Sequence, residues 1–106
     1  MDYEEVRKYL GNCYFSEHAR REMEAEPLGI IRVDDVSCVL RTGEIIEDYP
    51  EDKPYPSCLV LGRTAGGRPL HVVCAPAPTD RRLIIITVYQ PDPTRWDPEF
   101  KRRRAS

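Results

Sequence analysis

The chain has 106 residues, a formal net charge of −2 and 41% hydrophobic residues, which suits one core and leaves no room for a second domain, so residues 1–106 read as a single domain. Its four cysteines, Cys13, Cys38, Cys58 and Cys74, make no Cys-x-x-Cys or Cys/His cluster, which excludes the usual metal-ligand patterns and fits a reducing, cytoplasmic compartment. No apolar run approaches a membrane span and the N-terminus lacks the regions of a signal peptide, so a soluble protein with no membrane role is expected.

The charge is uneven along the chain. Residues 1–52 hold 14 acids and 6 bases, a net of −8, whereas residues 53–106 hold 4 acids and 10 bases, a net of +6. The second half can face a polyanion, and the first half a basic partner.

Residues 2–10 read as a short helix closed by Gly11-Asn12. Ser16 is an N-cap for a second helix through about Glu26, with Phe15, Ala19 and Met23 on one stripe, and Pro27 and Gly29 end it. Val33, Val36, Val39 and Leu40 repeat at helical spacing in a third helix, with Asp34 and Asp35 in its first turn and Gly43 placed as a terminating C′ glycine.

From Glu44 the period changes to that of strands. Residues 44–47 begin a first strand, residues 48–56 form a turn-rich segment, and residues 57–63, 70–75 and 83–90 follow as three more strands. The predicted fold class is α+β, with two or three N-terminal helices packed on a four-stranded antiparallel meander sheet.

Both faces of the last two strands are apolar, and short helices cover only one. The second face calls for a curled sheet, a homodimer, a partner protein or cover by the chain's own tail. Residues 91–100 are too proline-rich for a strand or stable helix, although Trp96 and Phe100 can anchor them. A basic tail at about residues 97–106, with Lys101-Arg-Arg-Arg104, is either a solvated end or a phosphate contact.

His18 falls at the second position of the Ser16-capped helix, where the helix dipole favours the neutral imidazole that accepts a proton. A histidine filling the helix–sheet contact is the competing reading. His71 alternates with Leu70 and Val72 and so points to the other sheet face, where Thr87 or Tyr89 of the next strand can approach it if the register permits. Lys53, Arg63 and Arg68 lie at the rim of the sheet and suit an anionic ligand or an ordinary solvated hairpin tip. There is no glycine-rich phosphate loop, Gly-x-Ser-x-Gly elbow or His-Glu-x-x-His helix, and no cofactor or metal is expected.

The series Phe15-Ser-Glu-His-Ala-Arg-Arg, Gly43-Glu-Ile-Ile-Glu-Asp-Tyr-Pro-Glu-Asp-Lys53, Pro56-Ser-Cys-Leu, Gly67-Arg-Pro-Leu-His-Val, Ile86-Thr-Val-Tyr and Asp92-Pro with Trp96 resembles the bacterial family called domain of unknown function forty-two fifty-eight. That family is commonly grouped with RelE- and BrnT-like toxins, and its members are often encoded beside zinc-finger antitoxins of the YgiT or MqsA type. The resemblance implies a RelE/BrnT-like α+β fold, a type II toxin that cuts RNA as a metal-independent endoribonuclease, and a protein antitoxin of the zinc-finger type as partner.

Carried over by motif, the resemblance implies His18, His71 and Tyr89 as catalytic groups, with Tyr49, Lys53 and Arg68 on the RNA substrate. One position departs, since the family's helix often carries an arginine where this chain has Glu22. Cleavage through the RNA 2′-hydroxyl needs a base, an acid and charge stabilisation at phosphorus. His71 or His18 would be the base, the other or Tyr89 the acid, and Arg68 and Lys53 the stabilising charges. The alternative is a non-enzymatic protein- or RNA-binding module in which both histidines are buried and hydrogen-bonded.

Overall fold

A computed structural model describes residues 1–105. The elements are α1 (Tyr3–Arg7), β1 (Cys13–Phe15), α2 (Glu17–Ala25), α3 (Val33–Thr42), β2 (Glu44–Tyr49), β3 (Ser57–Arg63), β4 (Pro69–Ala77) and β5 (Arg82–Tyr89), with a 3₁₀ turn at Pro78–Asp80. One five-stranded sheet runs in the order β1-β5-β4-β3-β2. The expected antiparallel meander is β2 to β5, but β1 adds a fifth strand parallel to β5 and makes the sheet mixed. Three residues carry no readable period. What makes Cys13–Phe15 a strand is pairing, with Leu83 donating to the Asn12 carbonyl at 3.0 Å and Ser16 donating to the Ile85 carbonyl at 2.9 Å.

Beyond Ile85, β1 no longer covers the outer edge of β5, and α2 takes over. Ser16 caps the helix by accepting from the Ala19 amide at 3.0 Å, and its hydroxyl donates to the Ile86 carbonyl at 3.0 Å. Glu22 accepts from the Val88 amide at 3.1 Å and Glu26 from the Gln90 amide at 3.3 Å. Two carboxylates one helical turn apart thus match two amides two residues apart on the strand, and the edge donors are satisfied by charge-assisted bonds. Glu22, the residue that departs from the resemblance, has this role here.

Ala19, Met23, Val36, Val39 and Leu40 of the helices meet Val60, Leu70, Val72, Leu83, Ile85 and Val88 of the sheet in one buried core. Cys58 and Cys74 are direct cross-strand partners on this face, their sulfurs 4.0 Å apart. Leu61, His71 and Tyr89 are in register on the opposite face. Residues after β5 fold back over that end, where Trp96 is 3% exposed, while Val73 and Ile84 stay half-buried. Self-cover by the tail is therefore realised over one end of the second face.

Gly43 follows α3 as expected but not in the left-handed conformation of a C′ glycine; its φ is −81°. The reason for glycine is close approach. A Cβ there would lie 2.6 Å from the Val39 carbonyl oxygen and 2.7 Å from the Leu61 oxygen. Because those neighbours are backbone atoms, Gly43→Ala is expected to destabilise the fold by about 1–3 kcal/mol, measured by urea unfolding; an unchanged midpoint would remove the close-approach account.

Candidate functional site

Two β-bulges decide which side chains share a face. In the β4–β5 ladder Cys74 pairs with Ile85 and Val73 with Thr87, leaving Ile86 as an extra residue. Strict alternation from Leu83 and Ile85 would send Tyr89 to the helix side; the bulge sends it to the side of His71, its direct cross-strand partner. In the β2–β3 ladder Ile45 pairs with Val60 and Glu47 with Leu59, leaving Ile46 extra. Ile45 therefore packs toward the core, while Glu47 and Tyr49 turn to the His71 face.

His71 is 0% exposed, and both ring nitrogens are engaged. Nε2 lies 2.8 Å from the Phe100 carbonyl oxygen and Nδ1 lies 3.1 Å from the Tyr89 hydroxyl. A carbonyl can only accept, so Nε2 carries the proton and Nδ1 accepts from Tyr89. Burial lowers the His71 pKa, against the Phe100 carbonyl and the Glu47 charge, which raise it. Burial likewise holds the Tyr89 phenol above its ordinary range. The imidazole meets the rings of Tyr89 and Trp96 edge-on, at centroid distances of 5.2 and 4.4 Å.

The segment after β5 is organised by its own side chains. Asp92 accepts from the Thr94 amide and hydroxyl, both at 2.8 Å, and Asp97 accepts from the amides of Glu99 and Lys101 at 3.1 and 3.0 Å. Phe100 has a φ of 61°, a left-handed conformation that costs a bulky residue about 1–3 kcal/mol. This is the residue whose carbonyl meets His71. Arg103 then lies over the Trp96 ring at 4.7 Å and binds Glu47 through two bonds of 3.1 Å each. Burial works to raise the Glu47 pKa, but the bonds from Arg103 and Tyr49 outweigh it and hold the carboxyl low. Tyr49, which donates to Glu47, is pushed up to about 12 by burial and that bond.

Beside the pair lies a hollow of about 410 Å³, lined by Tyr89, Gln90, Asp92, Arg95, Trp96 and Arg103. Tyr89 thus connects the sealed imidazole to an arginine-lined surface.

The structure brings His71, Tyr89 and Tyr49 to one face and leaves the other three expected residues elsewhere. The His18 side chain is 66% exposed on α2 and pairs with Glu22 at 3.2 Å. Arg68 is spent on structure: it binds the Gln90 side chain at 2.5 Å and the carbonyls of Gly29 and Ile30 at 2.5 and 3.2 Å, tying the α2–α3 connection to the sheet. Strand alternation puts it on the opposite side from His71. Lys53 is exposed in the β2–β3 loop, in no ion pair with a described residue.

Sequence reasoning missed Glu47, Arg95 and Arg103 as members of the site. A Trp followed at seven residues by an arginine, with no regular period between them, carries no readable signal of a fold-back. Among the described residues no group of three or more His, Cys, Asp or Glu side chains is placed to hold a metal ion, and no helix is long and apolar enough to cross a membrane.

The His71 shift has a measurable sign. Its pKa is lower folded than unfolded, so its contribution to stability is present above the unfolded value of about 6.5 and is lost as pH falls through the folded value. Stability is expected to fall as pH drops from about 7.5 to about 5, and less steeply in His71→Gln, which keeps a donor and an acceptor. Parallel slopes for the two proteins would show that His71 does not drive this dependence.

No curated protein and no solved structure matches the chain. A family model described as domain of unknown function, DUF4258, matches residues 15–90. The match runs from the last residue of β1 to just past Tyr89, taking in Glu47, Tyr49, His71 and Tyr89 and stopping before Trp96. On that match over most of its length, the chain belongs to the DUF4258 family.

Proposed function

We propose that this protein is a type II toxin of the RelE/BrnT-like kind, a metal-independent endoribonuclease in which Tyr89 meets the RNA and His71 stands behind it. The observation that carries the reading is the oriented chain from the Tyr89 hydroxyl through His71 to the Phe100 carbonyl, at the wall of a hollow lined by Arg95 and Arg103. A base held in one tautomer by a third group is the arrangement that acid–base catalysis requires.

In the proposed step the 2′-hydroxyl gives its proton to the Tyr89 oxygen as the Tyr89 proton passes to Nδ1 of His71. The 2′-oxygen attacks phosphorus, the bond from phosphorus to the 5′-oxygen breaks, and that oxygen takes a proton from water, while the proton on Nδ1 of His71 returns through Tyr89 to the hydroxide left behind. The products are a 2′,3′-cyclic phosphate and a 5′-hydroxyl. The buried imidazolium would be steadied by the Phe100 carbonyl and the Glu47 charge. Arg95, in no ion pair with a described residue, would meet the charge that develops at phosphorus.

A zinc-finger antitoxin fits the same proposal as the partner that covers the half-open sheet face around Val73 and Ile84, with a homodimer as the other occupant. Four free cysteines favour a reducing cytoplasm.

A second reading, an RNA- or protein-binding module without catalysis, is favoured by the full burial of His71 and by the position of His18, Lys53 and Arg68 away from it. Incubation of the purified chain with single-stranded RNA in EDTA separates the two. Cleavage to cyclic-phosphate ends is expected, with Tyr89→Phe and His71→Gln each slower by about 100-fold or more. RNA left intact by the wild-type chain overturns the nuclease reading, and salt-sensitive binding without cleavage supports the second.

A further inference from the structure

The opposite end of β5 carries a second cationic hollow. It measures about 630 Å³ and is lined by Lys8, Tyr9, Gly11, Asn12, Pro78 and Arg81. It holds two cations and no carboxylate. Neither Lys8 nor Arg81 is in an ion pair with a described residue.

Arg81 has a φ of 51° and a ψ of 45°, the left-handed region that favours glycine. The conformation is held from both sides: the Arg81 amide donates to the Pro78 carbonyl at 3.1 Å, and the Asn12 side-chain amide donates to the Arg81 carbonyl at 2.9 Å. A turn position suited to glycine therefore carries a long cationic residue at the lining of the hollow.

A second hollow of about 330 Å³ shares Lys8, Tyr9 and Pro78 with the first and adds Tyr55, with Glu5 as its one carboxylate. The two adjoin at these shared residues and are treated as one groove, cationic at the Arg81 end and lined by tyrosine and proline at the other. That combination suits a nucleotide chain, with phosphates on cations and bases against rings.

We propose that this groove is a second contact for single-stranded RNA, with Lys8, which lies over the Tyr9 ring at 5.7 Å, and Arg81 on phosphates and Tyr55 as the stacking surface. The inference rests on the RNA reading of the Tyr89 hollow and extends it to a site about 25 Å away along β5. A strand that fills both grips the protein at the two ends of its central hairpin.

The test uses Arg81→Gly, because glycine keeps the left-handed turn and removes only the side chain, together with Lys8→Ala. Binding of a fluorescently labelled single-stranded RNA is followed by anisotropy over a range of salt, with melting temperature as the check on folding. The double variant is expected to bind about tenfold more weakly, with the slope of log affinity against log salt reduced by about 1.4.

Unchanged affinity and slope in the double variant, with a wild type that binds, overturn the groove and leave the Tyr89 hollow standing. A wild type that fails to bind RNA overturns both. Arg81→Gly alone decides the matter if Lys8→Ala perturbs α1, since a normal salt slope in the single variant equally removes Arg81 from the contact.

Discussion

A histidine with no exposure to water has two ring nitrogens to satisfy, and much of this structure follows from how that is done at His71. An unsatisfied buried polar atom costs about 1–3 kcal/mol, and an apolar sheet face offers it nothing. One partner comes from the adjacent strand, Tyr89, and the other from the main chain of Phe100, eleven residues later in a segment without regular structure. The second requirement explains why residues beyond β5 fold back over the sheet, why Phe100 sits in a left-handed conformation, and why Trp96 is buried. Arg103 completes the closure by joining Trp96 to Glu47 on β2, so the segment is fixed at both edges of the imidazole.

The edge of β5 beyond β1 obeys the same accounting. Val88 and Gln90 would present unpaired amides where β1 stops, and the carboxylates of Glu22 on α2 and Glu26 just after it accept from them. Helix and strand are thereby locked in one relation, which fixes the position of β5 and hence of Tyr89. Arg68 does comparable work one strand away, binding two carbonyls of the α2–α3 connection. Arg68, which looks like a ligand for a phosphate in the linear chain, is thus committed to holding elements together, while Lys8, Lys53, Arg81 and Arg95 are in no ion pair with a described residue.

The surface that results has two hollows with basic residues at the two ends of β5, one lined by Tyr89 and one by Tyr9. Each sets aromatic rings beside guanidinium or ammonium groups. The net charge of −2 conceals this, because the acids concentrate on the helices and on β2 and its following loop, and several of them are consumed by backbone amides or by Arg103. Local charge, and not the total, governs contact with a polyanion.

The helices α2 and α3, the Ser16 cap, the four-strand meander and the opposed facing of His71 and Val72 were legible from the sequence, because helix and strand periods are local and each is repeated over several residues. The fifth strand was not, since three residues have no period and exist as a strand only against β5. Nor was the site. His71 could be given a side, but whether Tyr89 joined it depended on the bulge at Ile86, and whether Glu47 and Tyr49 joined it depended on the bulge at Ile46. A bulge inserts one residue and reverses every facing after it, and its position is set by pairing with the neighbouring strand. The residue types available for chemistry were therefore determined by the chain itself, while the tertiary pairing decided which of them meet, and sealed the imidazole beneath a segment whose course no local pattern encodes.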